Sequence, residues 1–377
     1  MKKHLETIAI HSGMKNSSGQ NASIVPPIEP STIFEHREEG HKEGDWNYTR
    51  HANPNRSQLE QLLADLEAGE SCAAFSSGVA AIASVFQALE TESHILFPKD
   101  LYHGTRVLIS DFADRWNLSF DFVDMTEAKN VKAALKNNTQ LVWIETPSNP
   151  LLLISSVEEI SGIAHEHGAL TAVDNTWPTP YNMQPLNLGA DLVVHSTTKY
   201  LGGHSDLLGG AVISKNDDEM FNRIREIQQK QGAVPSAHDC WMMCRSIRSF
   251  PYRMRGHNEN AAVVARFLSN HPKIKEVFYP GLESHLGHQI AKGEMSGFGG
   301  MVSFLVDGDA KTALRMVAAS KIIKRATSLG GVESTWEHRK SSEGEGSKTP
   351  ENLIRFSVGL EHPDDILEDL EQALSKS

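Results

Sequence analysis

Cysteine is nearly missing. Three thiols in 377 residues, Cys72, Cys240 and Cys244, cannot all pair, so a disulfide-built secreted fold is excluded and a reducing, cytoplasmic setting is expected. Long apolar runs are missing too. None reaches the roughly 18–20 residues of a membrane span. The opening MKKHLETIAIHSG has two lysines but no apolar core of a secretory leader. There is no basic excess: 36 Lys and Arg face 48 Asp and Glu, a net charge of −12, the wrong sign for a nucleic-acid surface. Cys240 and Cys244 lack the context of a closed zinc site, and no metal is expected. The pairs Gly202-Gly203 and Gly209-Gly210 do not form a dinucleotide fingerprint. What is present is ordinary globular composition, 39% hydrophobic and 22% charged. The length suggests two domains and an arm rather than one simple core.

The most informative stretch is Leu170–Gly210. Two apolar strand-like runs, Leu170–Val173 and Asp191–Val194, each end in polar groups: Asp174-Asn175-Thr176 after the first, His195-Ser196-Thr197-Thr198-Lys199 after the second. Polar residues just past the carboxyl ends of parallel strands face the ligand crevice of an α/β protein. A carboxylate, hydroxyls and one lysine in that crevice suit pyridoxal 5'-phosphate (PLP). The lysine makes the Schiff base, the acid meets the pyridine nitrogen, and the hydroxyls meet the phosphate.

Earlier, VPPIEPS and SSGQNAS mark turns. Ser57-Gln-Leu-Glu60 reads as a capping box opening a helix with Leu59, Leu62, Leu63 and Leu66 on one face. Strand-turn-helix units alternate from about residue 56 to 235, the pattern of a mainly parallel sheet covered by helices. Within them Ser71–Phe75 feeds Ser76-Ser77-Gly78-Val79 and a helix start, a place whose bare amides favour phosphate. From about 236 onward the pattern is that of a smaller α+β domain, with a hinge near Gly232-Ala-Val-Pro235. The divisions expected are 1–55 as an N-terminal arm, 56–235 as the PLP-binding domain and 236–377 as the small domain. His338-Arg-Lys340 reads as a solvated face, and the Glu/Lys/Ser/Gly-rich stretch up to Lys348 as a mobile loop.

Taken singly, these signals are ordinary: a loop arginine, a Ser-Ser-Gly turn, an Asn-Pro breaker, an arginine in a structural ion pair. Together they resemble the Cys/Met-metabolism PLP enzymes, the trans-sulfuration family of cystathionine γ-synthases, cystathionine β- and γ-lyases and methionine γ-lyases. The run Ser196–Asp206 resembles its lysine segment, and Tyr48-Thr-Arg50 its tyrosine–arginine segment. Ser77-Gly78-Val79 resembles the phosphate cup, and Tyr102-His103-Gly-Thr105 the ring-stacking tyrosine. Glu145-Thr-Pro-Ser-Asn149-Pro resembles the Glu-x-Pro-x-Asn-Pro motif, Ser328-Leu-Gly-Gly the substrate loop, and Leu353-Ile-Arg355 the carboxylate-binding strand.

The resemblance implies an aspartate-aminotransferase-like fold (fold type I) and a homotetramer of two catalytic dimers. It implies Lys199 as the cofactor-bearing base and Tyr102 as a catalytic and stacking residue. Asp174 would meet the ring nitrogen. Ser77, Gly78, Val79, Ser196 and Thr198 would hold the phosphate, with Tyr48 and Arg50 reaching in from a partner subunit. Arg355, Asn149, Ser328 and Tyr48 would meet the substrate. The expected activity is carbon–sulfur lysis of cystathionine or a related sulfur amino acid. The alternatives are γ-replacement on an O-acyl-homoserine and methionine γ-lysis. An aminotransferase of the same fold and a PLP-binding protein without turnover are further alternatives; the Tyr-Thr-Arg segment and the intact lysine–aspartate–arginine set speak against them. Departures from the pattern fall on the substrate side. Thr327 stands where synthases and γ-lyases commonly have glutamate. His103 replaces a glycine. The His-Pro…Met-Thr-His stretch expected after Glu333 is replaced by a shorter segment containing Trp336 and His338.

Overall fold

The computed structural model describes residues 3–13, 23–40, 44, 46–344 and 347–376. Residues 17–22 of the SSGQNAS turn and 345–346 of the Glu/Gly/Ser stretch lie outside the described residues.

Seven strands form the large sheet: β1 (Ser71–Phe75), β2 (His94–Pro98), β3 (Ser119–Val123), β4 (Thr139–Glu145), β5 (Leu170–Asp174), β6 (Leu192–His195) and β7 (Gly210–Ser214). Their order is β1-β7-β6-β5-β4-β2-β3. Neighbours are parallel except where β7 runs antiparallel to both β1 and β6. The central strands are apolar without alternation because both faces are covered. Leu141 and Trp143 of β4 enter one core, Val142 and Ile144 the other, which is the period-two geometry of a strand.

The helix α2 (Pro54–Glu67) lies on one face and α3 (Gly78–Ala88) on the other. The leucine stripe of α2 is buried throughout. Its start differs from the expected capping box. Asn53 is the N-cap, its Oδ1 accepting from the amides of Asn55 and Arg56, with Pro54 in the first turn. Asparagine followed by proline is the stronger start signal, since proline gives up an amide that has no partner there. Glu60 instead accepts from the Ala74 amide at 2.9 Å and from Arg225 at 2.7 Å. In the segment read as an arm, Leu5–His11 form α1, which packs on α2 and buries Ala9.

A second sheet follows: β8 (Ile274–Phe278), β9 (Met301–Val306), β10 (Lys324–Arg325), β11 (Thr335–His338) and β12 (Leu353–Ser357), in the order β10-β11-β12-β9-β8. Its core adds the helices Ala310–Ala319 and Pro363–Ser375. The long helix Phe250–Ser269 joins the two bodies. Phe250 and Met254 belong to the first core, and Ala261, Val264 and Leu268 to the second. The architecture is α/β, with a mainly parallel large sheet beside a smaller, mainly antiparallel one.

The cluster His338–Lys340 is not a solvated face. Trp336 packs on Phe356 in the second core, its indole N–H donating to Val317 O at 3.2 Å. His338 is buried, with ring nitrogens 2.6 Å from Ser341 Oγ and from Glu351 O. Arg339 is buried as well and opens a short helix, Arg339–Glu343. The stretch beyond it is tied down where it is described: Ser347 and Thr349 both donate to Glu343, at 2.5 and 2.6 Å.

Candidate active site

In-register pairing brings the site together. Glu145 at the end of β4 pairs with Asp174 at the end of β5, and Asp174 with Val194 of β6. Three strand ends and the start of α3 thus border one cavity of about 190 Å³. It is lined by Ser77, Gly78, Val79, Tyr102, Asn149, Asp174, Ser196, Thr198, Lys199, Ser328 and Arg355, every expected site residue except Tyr48 and Arg50.

Lys199 follows β6 and is half-buried. Its Nζ donates to Ser328 Oγ at 2.7 Å. Burial lowers its pKa from 10.5 to about 8, and the Arg355 guanidinium pushes the same way. Ser328 adopts φ of +95°, a conformation serine rarely takes. Such departures gather where a side chain must be aimed.

Asp174 is pushed up by burial, against hydrogen bonds from the Thr176 amide and hydroxyl. Glu145 beside it is pushed well up by burial and by Asp174, and its two oxygens accept from the Tyr102 amide at 2.9 and 3.0 Å. Acids withdrawn from water at adjacent strand ends keep their charge only where a cationic group meets them.

On the other side lies α3. Ser77 caps it by accepting from the Ala80 amide at 3.1 Å, and the amides of Gly78 and Val79, in the first turn, have no intrahelical partner. Gly78 is required by close approach, since a Cβ there would lie 2.7 Å from Ser196 Cβ. A Cβ on Gly104 would fall 2.4 Å from the Tyr102 ring, which lies across that residue. Gly104 therefore leaves the room that the Tyr102 ring occupies.

The substrate side comes from the second sheet. Arg355 on β12 stands directly opposite Glu337 on β11, and its Nη2 reaches Glu337 Oε1 at 2.5 Å. Its Nη1 donates to Asn149 Oδ1 at 3.1 Å and its Nη2 to Ser328 O at 3.3 Å. Burial and the neighbouring Arg339 lower the Arg355 pKa to about 10.

Tyr48 and Arg50 stand apart from this cavity. Arg50 Nη1 donates to Gln229 O at 2.6 Å, and its guanidinium lies 5.4 Å from the Tyr48 ring centroid. Glu145, Thr176, Thr327 and Arg339 are further polar residues of the cavity lining to which the sequence motifs gave no role. For Arg339 the available signal was the pair of acids flanking it, Glu337 and Glu343, in a segment whose register places it beside Arg355.

The residues fit PLP on their own geometry. A helix-terminal cup that a single Cβ would fill faces a half-buried lysine, and a desolvated acid waits for a cationic ring nitrogen. Fold and cavity together define a PLP-binding enzyme of the α/β class. The chain matches the model of the Cys/Met metabolism PLP-dependent enzyme family over residues 6–375 and belongs to that family, whose cofactor is PLP. It is 42% identical over 377 aligned residues to the cystathionine gamma-synthase of Mycobacterium leprae, covering 98% of this chain and 97% of that protein. It is 41% identical over 382 residues to the cystathionine beta-lyase of Lactococcus lactis, covering 99% of each. A crystal structure of metB from Corynebacterium glutamicum superposes with a TM-score of 0.95 at 40% identity, covering 99% of this chain and 98% of that one.

Proposed function

We propose that this trans-sulfuration enzyme is a carbon–sulfur lyase acting on cystathionine or a related sulfur amino acid. The observation that carries the reading is Lys199 Nζ, held by Ser328 in one cavity with Asp174 and the Arg355–Asn149 pair.

Bound PLP supplies an aldehyde for the amines of lysine and substrate and a ring that withdraws electrons from the substrate's α-carbon. Lys199 would hold it covalently. The amides of Gly78 and Val79 with the hydroxyls of Ser77, Ser196 and Thr198 would receive its phosphate, and Asp174 its ring nitrogen. Arg355, kept in place by Asn149 and Glu337, orients the substrate carboxylate through its forked N–H groups. With its pKa near 8, Lys199 Nζ is partly neutral at physiological pH and takes the α-proton, while the Ser328 hydroxyl holds the amine on line. Tyr102, which lines the cavity and is partly exposed, would stack on the cofactor ring and meet the leaving sulfur with a proton.

Tyr48 and Arg50 act in a neighbouring copy's site. Their separation from their own cavity supports this, as does an exposed apolar N-terminal surface including Ile24, Val25, Ile33 and Trp46. A homotetramer of two such dimers follows the same reading. The three free thiols support a cytoplasmic protein.

Thr327 leans towards lysis over replacement: synthases and γ-lyases of the family commonly carry glutamate there, whereas β-lyases and methionine lyases do not. The similarity to named synthases favours γ-replacement as the second reading. Product analysis tests both. Pyruvate from cystathionine indicates β-lysis and 2-oxobutyrate indicates γ-lysis. Cystathionine formed from an O-acyl-homoserine and cysteine indicates replacement and would reject the lyase assignment.

A further inference from the structure

One α-carboxylate needs one guanidinium, yet two arginines line this cavity. Besides Arg355 there is Arg339, just past the end of β11 and 4% exposed. Its Nη1 donates to Glu337 Oε1 and its Nε to Glu343 Oε1, each at 2.9 Å. Glu337 Oε1 is shared with Arg355, and Glu337 Oε2 accepts from Ser342 Oγ at 2.6 Å. Glu343 Oε2 is taken by Ser347 and Thr349. All four carboxylate oxygens are therefore engaged, and the two acids balance the two arginines, which is what allows both cations to be buried.

The fork of Arg339 is held on two of its three nitrogens. Among the described residues its Nη2 makes no hydrogen bond, while the side chain lines the cavity. That corner is not among the fully enclosed unpartnered polar atoms, so it is open to the cavity and free to donate to an anion there. The field of Arg339 also reaches the reacting end, since it is among the groups that lower the Lys199 pKa.

We propose that Arg339 is a second anion-binding residue of the substrate pocket, selecting amino acids whose departing arm carries a carboxylate of its own. This rests on the trans-sulfuration reading and adds the residue that sets its substrate class. Arg355 takes the α-carboxylate, and Arg339 meets the distal carboxylate of the leaving group. Glu337 couples the two forks by gripping both through one oxygen. The segment that carries Arg339 is one of those in which this chain departs from the family pattern.

The test uses the holoenzyme and two matched substrate pairs. O-succinyl-L-homoserine and O-acetyl-L-homoserine differ by a distal carboxylate and both report as 2-oxobutyrate. S-carboxymethyl-L-cysteine and S-ethyl-L-cysteine differ likewise and report as pyruvate. The quantity read is the kcat/KM ratio of the charged to the neutral member. In Arg339→Gln it should fall about ten- to a hundredfold, the range of one charge-assisted hydrogen bond, with the loss mainly in KM. Arg339→Lys, which keeps the charge without the fork, should recover part of it. A ratio unchanged in both variants while the two members decline together would overturn the proposal, leaving Arg339 as a brace for Glu337. In the wild-type enzyme, keto acid from neither pair nor from cystathionine, with no cystathionine formed from an O-acyl-homoserine and cysteine either, would sink the trans-sulfuration reading, and this inference with it. Turnover of the neutral members with an unaltered ratio would sink Arg339 alone.

Discussion

Lys199 in the cofactor-stripped protein should behave unlike any surface lysine. Lowering its pKa from 10.5 to about 8 disfavours the charged form by about 3 kcal/mol. At pH 7 this leaves ~10% of the amine neutral, against ~0.03% for an ordinary lysine, a gain of roughly 300-fold. Burial is the largest cause and the Arg355 guanidinium the next. Trace acetic anhydride, which reacts only with neutral amines, reads this directly. Acetylation of Lys199, quantified by mass spectrometry across pH, should rise with a midpoint near pH 8, while exposed lysines rise with midpoints above pH 10. The midpoint is the readout, because half-burial slows Lys199 at every pH alike. In Arg355→Met the midpoint should move up, since a neighbouring cation has been removed. A stability curve would report less cleanly. Between pH 8 and 10.5 the unfolded chain holds the Lys199 proton that the folded chain has released, so this residue makes stability rise with pH. The thiols of Cys72, Cys240 and Cys244, all pushed up by burial, stay protonated in the folded chain after the unfolded chain has lost those protons and pull the opposite way. A Lys199 midpoint at or above pH 10 would refute the claim that this cavity prepares the amine as a base.

Gly78→Ala should reduce PLP affinity by about tenfold or more, or at least about 1.4 kcal/mol, because the new Cβ would lie 2.7 Å from Ser196 Cβ. Absorbance titration with an unchanged far-UV spectrum would show it, and undiminished affinity would remove α3 from the phosphate site. Arg50→Ala and Lys199→Ala should each be inactive alone, yet regain activity when unfolded and refolded together, because a mixed dimer holds one intact site. No recovery would reject the shared-site reading. Arg355→Met should raise KM and destabilise the chain by about 3–5 kcal/mol, because it leaves Glu337 without its shortest partner. In Arg355→Met/Glu337→Met the denaturation midpoint should return most of the way while KM stays high. A double variant as unstable as the single one would show that the pair is not what holds β11 to β12.

The cofactor half of the site was readable from the sequence because physics gathers it into short contiguous runs. A buried parallel strand must end in something polar at the crevice, so Asp174 and Lys199 announce themselves after Leu170–Val173 and Asp191–Val194. A small-residue turn before a helix announces Ser77-Gly78. The substrate half is assembled across sequence distance instead. Arg339 reaches the cavity only because β11 pairs with β12 and sets Glu337 opposite Arg355, a register that no local pattern encodes. Read locally, His338-Arg-Lys340 is a run of polar residues, and polar runs are usually solvated. The start of α2 was misread for a related reason. Ser57 and Glu60 satisfy the capping-box spacing, but Asn53-Pro54 four residues earlier binds the free amides first.

This division bears on why relatives so similar to the chain carry different reaction names. The M. leprae synthase and the L. lactis β-lyase differ from it by comparable amounts and align over nearly its whole length. Overall similarity therefore does not by itself assign replacement or elimination to this chain. In this chain the second sheet and the Thr327–Ser328 turn supply the wall of the cavity that a leaving group would meet. A charged pair such as Glu337–Arg355 fixes that wall from behind, so substitutions in front of it can change the pocket's charge without loosening the lysine on the other side. Arg339 lines the cavity beside that pair, and on our proposal it meets the distal end of the substrate while Arg355 meets the α-carboxylate.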